Sequence, residues 1–274
     1  MVKNAPLFEL FLPDSAPLIG LVSIPHAGEK IPEEFLPFLT EDEWALGQDV
    51  DFRVDELIDN KALLEKGIAV LKACVHRVAC DLNRSPDKAI FNWKENSMGV
   101  PLVRSFPDPE TERELLAHYH APYFSTIQRV KGKAHDPARF SLIDLHSMPS
   151  TPTAYHLKKN PGQGSKRPDF CLSDLEGKSC APRFIQTLKE DLESFGYGVL
   201  INDPYEGGYI TRFAHPLFCD NIQVEINRAL YMDEKRRALT PEAKTLKDRL
   251  TQAVISTMKT SGDDAQRDHG SEIG

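Results

Sequence analysis

Two histidines that follow apolar runs are the residues best suited to chemistry in this chain. In Ser23-Ile24-Pro25-His26-Ala27-Gly28, a run ends in an imidazole beside a proline and a glycine. In Ser141-Leu142-Ile143-Asp144-Leu145-His146-Ser147, a second run delivers a second imidazole. If both runs are strands, both rings stand at strand ends, where open α/β sheets place their sites. Side chains alternate along a strand, so Asp144 shares a face with His146 and can accept its other ring N–H. A lone loop histidine is more often structural than a ligand. Two delivered in the same way point to a shared metal ion.

Hydrolytic zinc takes three protein ligands, often including a carboxylate, and keeps a position for water. Two acids are available. Glu29 stands three residues after His26, and Asp51 follows Gly47-Gln48-Asp49-Val50, where a helix is predicted to open. Glu29 could equally be a solvated loop acid. Asp51 could be a first-turn acid favoured by the helix dipole. Spacing leaves that choice open.

Three further constellations could act on a substrate. Asn83-Arg84, stopped by Pro86, offers an amide donor and a guanidinium fork for a carboxylate; the plainer reading is an Arg–Asp pair fixing a turn. Gln223, Glu225 and Asn227 alternate with apolar residues and share one strand face. Burial would raise the Glu225 pKa towards neutrality, which suits general base and acid work; the wet face of an edge strand is the alternative. In Asn202–Arg212, Gly207-Gly208 permits close backbone approach. Tyr209, Thr211 and Arg212 there could bind substrate or decorate a turn.

The elements that must position these groups read as alternating strands and helices. Leu18–Ile24, Ile68–Lys72, Val75–Leu82, Ser141–Leu145, Tyr197–Ile201 and Asn221–Ile226 have strand character. Several are apolar throughout, as in a sheet covered on both faces. Helices are predicted over Asp51–Lys66 with Gly67 as its stop, from Asp108-Pro109 towards Val130, over Arg183–Phe195 and over Pro241–Met258. The pattern predicts an α/β sandwich with a mixed or largely parallel sheet. Asn160–Pro168 reads as a mobile loop. No stretch has linker composition, so residues 1–260 read as one catalytic domain and 261–274 as a flexible tail.

The chain has 274 residues, 41% hydrophobic and 27% charged, with a net charge of −8. That suits a globular domain and argues against nucleic acid as the partner. Five cysteines without a close pair read as reduced thiols. No signal-peptide pattern opens the chain, and no run reaches the roughly 18 apolar residues of a membrane span, so the cytoplasm is the expected location and no membrane partner is expected. A homo-oligomer is compatible with this composition. No GxSxG is present, and no cysteine can be placed beside a histidine, which argues against a serine or cysteine hydrolase.

SIPHAG, Asp49-Val50-Asp51, ACDLNRSP, IDLHS, RPDFCLSDLEGKSC, NDPYEGGYIT and QVEINRALYM occur in an order that resembles the N-formylglutamate amidohydrolase family, across roughly residues 20 to 232. The resemblance implies a single-domain three-layer sandwich akin to zinc carboxypeptidases and aspartoacylase. It implies Zn2+, or another divalent ion, on His26, Asp51 and His146, and so favours Asp51 over Glu29. It implies Glu225 as the catalytic general base and acid, with Asn83, Arg84, Thr211 and Arg212 binding a small-molecule carboxylate substrate. The implied reaction is hydrolysis of an N-acyl acidic amino acid such as N-formyl-L-glutamate, a step of histidine degradation. Two other readings remain. One is a zinc carboxypeptidase or amidase acting on a peptide or peptidoglycan fragment. The other is a non-catalytic carboxylate-binding protein.

Overall fold

A computed structural model describes residues 6–90 and 94–261. The tail expected over 261–274 lies, but for Ser261, outside the described residues. Seven strands form one sheet in the order β1-β3-β2-β4-β7-β5-β6. They are β1 Phe8–Phe11, β2 Gly20–Ile24, β3 Ile68–Ala73, β4 Ser141–Met148, β5 Phe170–Ser173, β6 Val199–Ile201 and β7 Asn221–Asn227. The run β3-β2-β4-β7 is parallel. β1 lies antiparallel to β3, and β5 antiparallel to β7 with β6 parallel beside it. The sheet is therefore mixed and mostly parallel, as the alternation of strands and helices predicts.

Both faces of the sheet are covered, which gives three layers. On one face Leu21, Leu71 and Leu142 pack with Tyr123, Phe124 and Ile127 of the helix Ala121–Lys131. On the other, Val22, Val70, Ile143 and Val224 meet Leu188 and Leu192 of Pro182–Ser194 and Leu246, Leu250 and Val254 of Glu242–Met258. Each such aliphatic side chain contributes about 1.5–3 kcal/mol on full burial. Two-sided burial explains why the central strands are apolar almost throughout. All five cysteines are free thiols. Among the described residues, no helix is long and apolar enough to cross a membrane.

Several elements differ from expectation. Val75–Leu82 is not a strand. The Val78 N–H donates to His76 Nδ1 at 2.9 Å, and the Ala79 N–H donates to the His76 carbonyl, so the chain turns where an extended run was expected. The helix expected over Asp51–Lys66 is broken into a 3-10 turn, Val54–Leu57, and the helix Asn60–Glu65. Asp59 causes the break, because its side chain accepts from the Ala62 N–H and caps a new start. Gly67 follows as expected, with φ +79; a Cβ there would lie 1.9 Å from the Pro17 carbonyl oxygen. The helix from Pro109 reaches Lys131 through a wide turn at Leu116–His120. β1 and β5 add two short strands to those expected in the sheet, and Met232–Asp233 pairs antiparallel with Ala238–Leu239 apart from it.

Candidate metal centre

The parallel strands β2, β4 and β7 end on the same side of the sheet, and the polar residues gather there. Along β4, Leu142 belongs to one core and Ile143 and Leu145 to the other. Asp144 and His146 therefore share the face of Leu142, as alternation requires. His146 pairs in register with Glu225 of β7. His26 stands two residues beyond the end of β2. Its carbonyl accepts the Asp51 N–H at 3.1 Å, which binds the Asp51 segment to the His26 loop.

Three donor atoms converge. Asp51 Oδ2 lies 3.1 Å from His146 Nδ1 and 3.6 Å from His26 Nδ1. The two imidazole centres are 4.7 Å apart, and one ligand atom from each of His26, Asp51 and His146 lies within 4.8 Å of the others. All three residues are 1–2% exposed. Glu29 is exposed and lines a separate surface cavity with Glu43, His76 and Arg237. Two nitrogens and a carboxylate oxygen form a donor set that suits zinc.

The far side of each ring shows how the set is prepared. His26 Nε2 lies 2.8 Å from Asp81 Oδ1, and His146 Nε2 lies 2.8 Å from Asp144 Oδ2. Burial would raise the Asp81 carboxyl, but Arg77, His26 and Arg84 hold it well below the usual carboxylate range. An ionised carboxylate only accepts, so Nε2 of His26 carries a proton, and in the neutral ring Nδ1 is then the lone-pair nitrogen. That Nδ1 is buried and has no hydrogen-bond partner among the described residues. An orphaned buried acceptor facing Asp51 is what a ligand atom looks like without its cation, so the residues fit a metal ion.

The electrostatics agree. Burial opposes the charged form of Asp51, yet hydrogen bonds and charge from His146 and His26 hold its carboxyl well below the ordinary value. Burial likewise opposes protonation of His146, yet Asp144 and Asp51 push its pKa well up. The field favours positive charge between these groups. Arg228 steadies the other oxygen of Asp51, with Nη2 3.3 Å from Oδ1 and 2.8 Å from the Val50 carbonyl. Ser147 Oγ also donates to Oδ1, at 3.3 Å.

Gln223, Glu225 and Asn227 share the face of β7 opposite Ile222, Val224 and Ile226, which lie in the second core. Glu225 is buried, and desolvation pushes its pKa up to about 7, with the charge of His146 opposing and that of Asp51 assisting. Its Oε1 accepts from Gln223 Nε2 at 2.9 Å. Asn83 is a hub: Nδ2 donates to Gln223 Oε1 at 3.1 Å, and Oδ1 accepts the Ile210 N–H at 3.0 Å. Arg84 and Arg212 line the same cavity. Arg84 Nε lies 4.0 Å from Asp81 Oδ2. Thr211 is fully buried and stands outside the cavity lining, so the structure does not bring it to the site with Arg84 and Arg212. Tyr209 packs against His120 and Phe124.

The cavity over these residues has a volume of about 580 Å³, within the range of small-molecule sites. Its lining includes the cations Arg77, Arg84, Lys159, Arg212 and Arg228 together with the acids Asp49, Asp51, Glu206 and Glu225. Asn160 and Gln163 of the loop 160–168 reach it. Sequence reasoning missed Asp81, Arg228 and Ser147. Asp81 carried a signal, because it sits within the ACDLNRSP motif, but nothing local says which ring it meets.

The N-formylglutamate amidohydrolase family model matches residues 19–232. The N-formylglutamate deformylase of Pseudomonas putida is 28% identical over 255 residues, covering 86% of this chain and 92% of that one. Among solved structures, the N-formylglutamate amidohydrolase from Ralstonia eutropha JMP134 aligns with a TM-score of 0.79 at 24% identity, over 94% of this chain and 99% of that chain. A gene product of Agrobacterium tumefaciens aligns with a TM-score of 0.64 at 15% identity, over 91% and 95%. These two structures share the fold.

Proposed function

The chain belongs to the N-formylglutamate amidohydrolase family, and from that premise we propose that it hydrolyses the amide of an N-acyl acidic amino acid, N-formyl-L-glutamate first. The products are the short acid, formate here, and the free amino acid. Zinc is the proposed cofactor, with His26, Asp51 and His146 as its holders. Such an ion supplies Lewis-acid activation of the acyl carbonyl and of water.

The observation that carries this reading is the convergence of two carboxylate-oriented imidazoles on Asp51, with Glu225 in register beside His146. Glu225, raised to about 7 by burial, is matched to proton transfer near neutral pH. It accepts a proton from the attacking water and delivers it to the leaving amine nitrogen. Arg84 and Arg212 supply positive charge for a substrate carboxylate. Asn83 holds Gln223 and the Ile210 N–H, and so shapes the binding wall.

The test is formate release from N-formyl-L-glutamate by purified protein, with metal content measured on the same sample. Activity that vanishes with a chelator and returns with Zn2+ supports the reading. Protein that binds no divalent ion and releases no formate under any metal supplement sinks it. N-acetyl-glutamate and a peptide panel separate this substrate class from a carboxypeptidase.

A further inference from the structure

The segment leading into β5 carries a buried cation that no acid is paired with among the described residues. Arg167 is 7% exposed, and its Nε and Nη1 have no hydrogen-bond partner among the described residues. Its Nη2 reaches Gln163 Oε1 only at 3.4 Å, and its guanidinium carbon stands 5.2 Å from the centre of the Tyr205 ring. Other arginines of the site are provided for. Arg77 donates to Asp81 and the Asp49 carbonyl, and Arg228 to Asp51 and the Val50 carbonyl. A buried charge without a partner is strongly destabilising, unless a ligand supplies the partner.

Arg167 stands at the end of the sheet where the site lies. β5 runs antiparallel to β7, with Phe170 opposite Ile226, so the residues before β5 lie beside the C-terminal end of β7. Asn227 Nδ2 donates to the carbonyls of both Arg167 and Pro168, which fixes that backbone beside the Glu225 strand. Gln163 and Tyr205, the neighbours of the guanidinium, both line the cavity, and Arg167 stands directly behind them, one side chain removed from the open space.

We propose that Arg167 binds the side-chain carboxylate of the substrate and so sets the preference for an acidic amino acid. This rests on reading the chain as an amidohydrolase of N-acyl acidic amino acids. Such a substrate has two carboxylates. The α-carboxylate is one carbon from the scissile nitrogen, so its anchor must stand near the imidazole pair. Arg84 stands there, 4.0 Å from the Asp81 that holds His26. The side-chain carboxylate of glutamate lies two methylenes further out and needs a second cation. Arg212 lines the cavity but is exposed; among the described residues Arg167 is the buried arginine whose Nε and Nη1 have no partner, and the carboxylate meets it where Gln163 and Tyr205 part. A neutral amide in that place would leave the guanidinium uncompensated, so the site discriminates acid from amide.

The test compares N-formyl-L-glutamate with N-formyl-L-glutamine on the metal-loaded wild type and on Arg167→Met, whose fold is checked by circular dichroism and melting. The wild type is expected to favour the glutamate substrate by roughly tenfold or more in kcat/KM. Arg167→Met should lose roughly 10- to 100-fold on that substrate, mostly through KM, and stay within about threefold on the glutamine one. Equal losses on both substrates overturn the assignment, because Arg167 then serves the fold or Glu225. If Arg167→Met does not fold, the wild type decides: equal kcat/KM for the two substrates overturns it. Release of formate from neither substrate removes the amidohydrolase reading and this assignment with it.

Discussion

Asp81 Oδ1 lies 2.8 Å from His26 Nε2, across 55 positions of chain, and that contact decides which face of the imidazole is offered to a metal. Asp144 does the same for His146 from two residues away. One orienting carboxylate is local to its strand, and the other arrives from a turn after β3. Both leave Nδ1 turned towards Asp51 Oδ2.

The Asp81 contact can be tested by Asp81→Asn. Oδ1 accepts from both His26 Nε2 and the Asn83 N–H, at 2.8 and 2.9 Å, and Oδ2 accepts from Arg77 at 2.9 Å. An amide in either orientation sets its NH2 against an existing donor. If it faces His26, it also favours the tautomer with the proton on Nδ1. Zinc affinity should fall roughly 10- to 100-fold, read by competition with a chelating dye. Unchanged affinity would show that His26 needs no orienting acid.

Glu225→Gln keeps the volume and the bond to Gln223 but removes the proton acceptor. Zinc content should stay at the wild-type level, and turnover of N-formyl-L-glutamate should fall about 10²- to 10⁴-fold. A variant as active as the wild type removes the general-base role.

His76 ties stability to pH. Burial first, then Arg77 and Arg237, lowers its pKa from 6.5 to about 3. Its Nδ1 also accepts the Val78 N–H, and protonation would remove that acceptor. The unfolded chain takes up this proton near 6.5 and the folded chain only near 3. The contribution is therefore fully present above pH 6.5 and is lost as pH falls from there to 3, by up to about 5 kcal/mol. His76→Asn, whose Oδ1 can replace Nδ1, should lose less stability between pH 7 and pH 4. Urea denaturation at the two values measures the difference, and identical acid losses for both proteins would exclude His76 as its source.

Strand alternation made part of the site legible in the sequence. It placed Asp144 with His146 and set Gln223, Glu225 and Asn227 on one face, because a period of two survives any tertiary context. It could not choose between Asp51 and Glu29, since the choice depends on the Asp51 N–H reaching the His26 carbonyl. It misread Val75–Leu82 because one histidine nitrogen captures a backbone N–H and turns an apolar run. β1 and β5 are four-residue strands held antiparallel against β3 and β7, partners far away in sequence that no local pattern names. Arg167 opens the RPDFCLSDLEGKSC motif, but nothing local says that the fold buries it, because an arginine in a polar loop looks solvated.

The glycine pair in Asn202–Arg212 gives a prediction about how the substrate wall is held. Gly208 has φ −95, open to any residue, so its identity is a matter of space. A Cβ there would lie 2.1 Å from both Oδ1 and Nδ2 of Asn83, too close for contact without movement. The Gly208 N–H donates to Gln223 Oε1 at 2.7 Å, the same oxygen that Asn83 Nδ2 reaches at 3.1 Å. Gly208→Ala must therefore displace Asn83, loosen Gln223 and disturb the bond from Gln223 to Glu225. We expect a loss of about 1–3 kcal/mol of stability and a fall in kcat/KM. Combined with Asn83→Ala, which clears the space, Gly208→Ala should add little further destabilisation, and the coupling should appear in a double-mutant cycle. Additive losses would mean that the two residues do not constrain each other, and that the wall is held by other contacts.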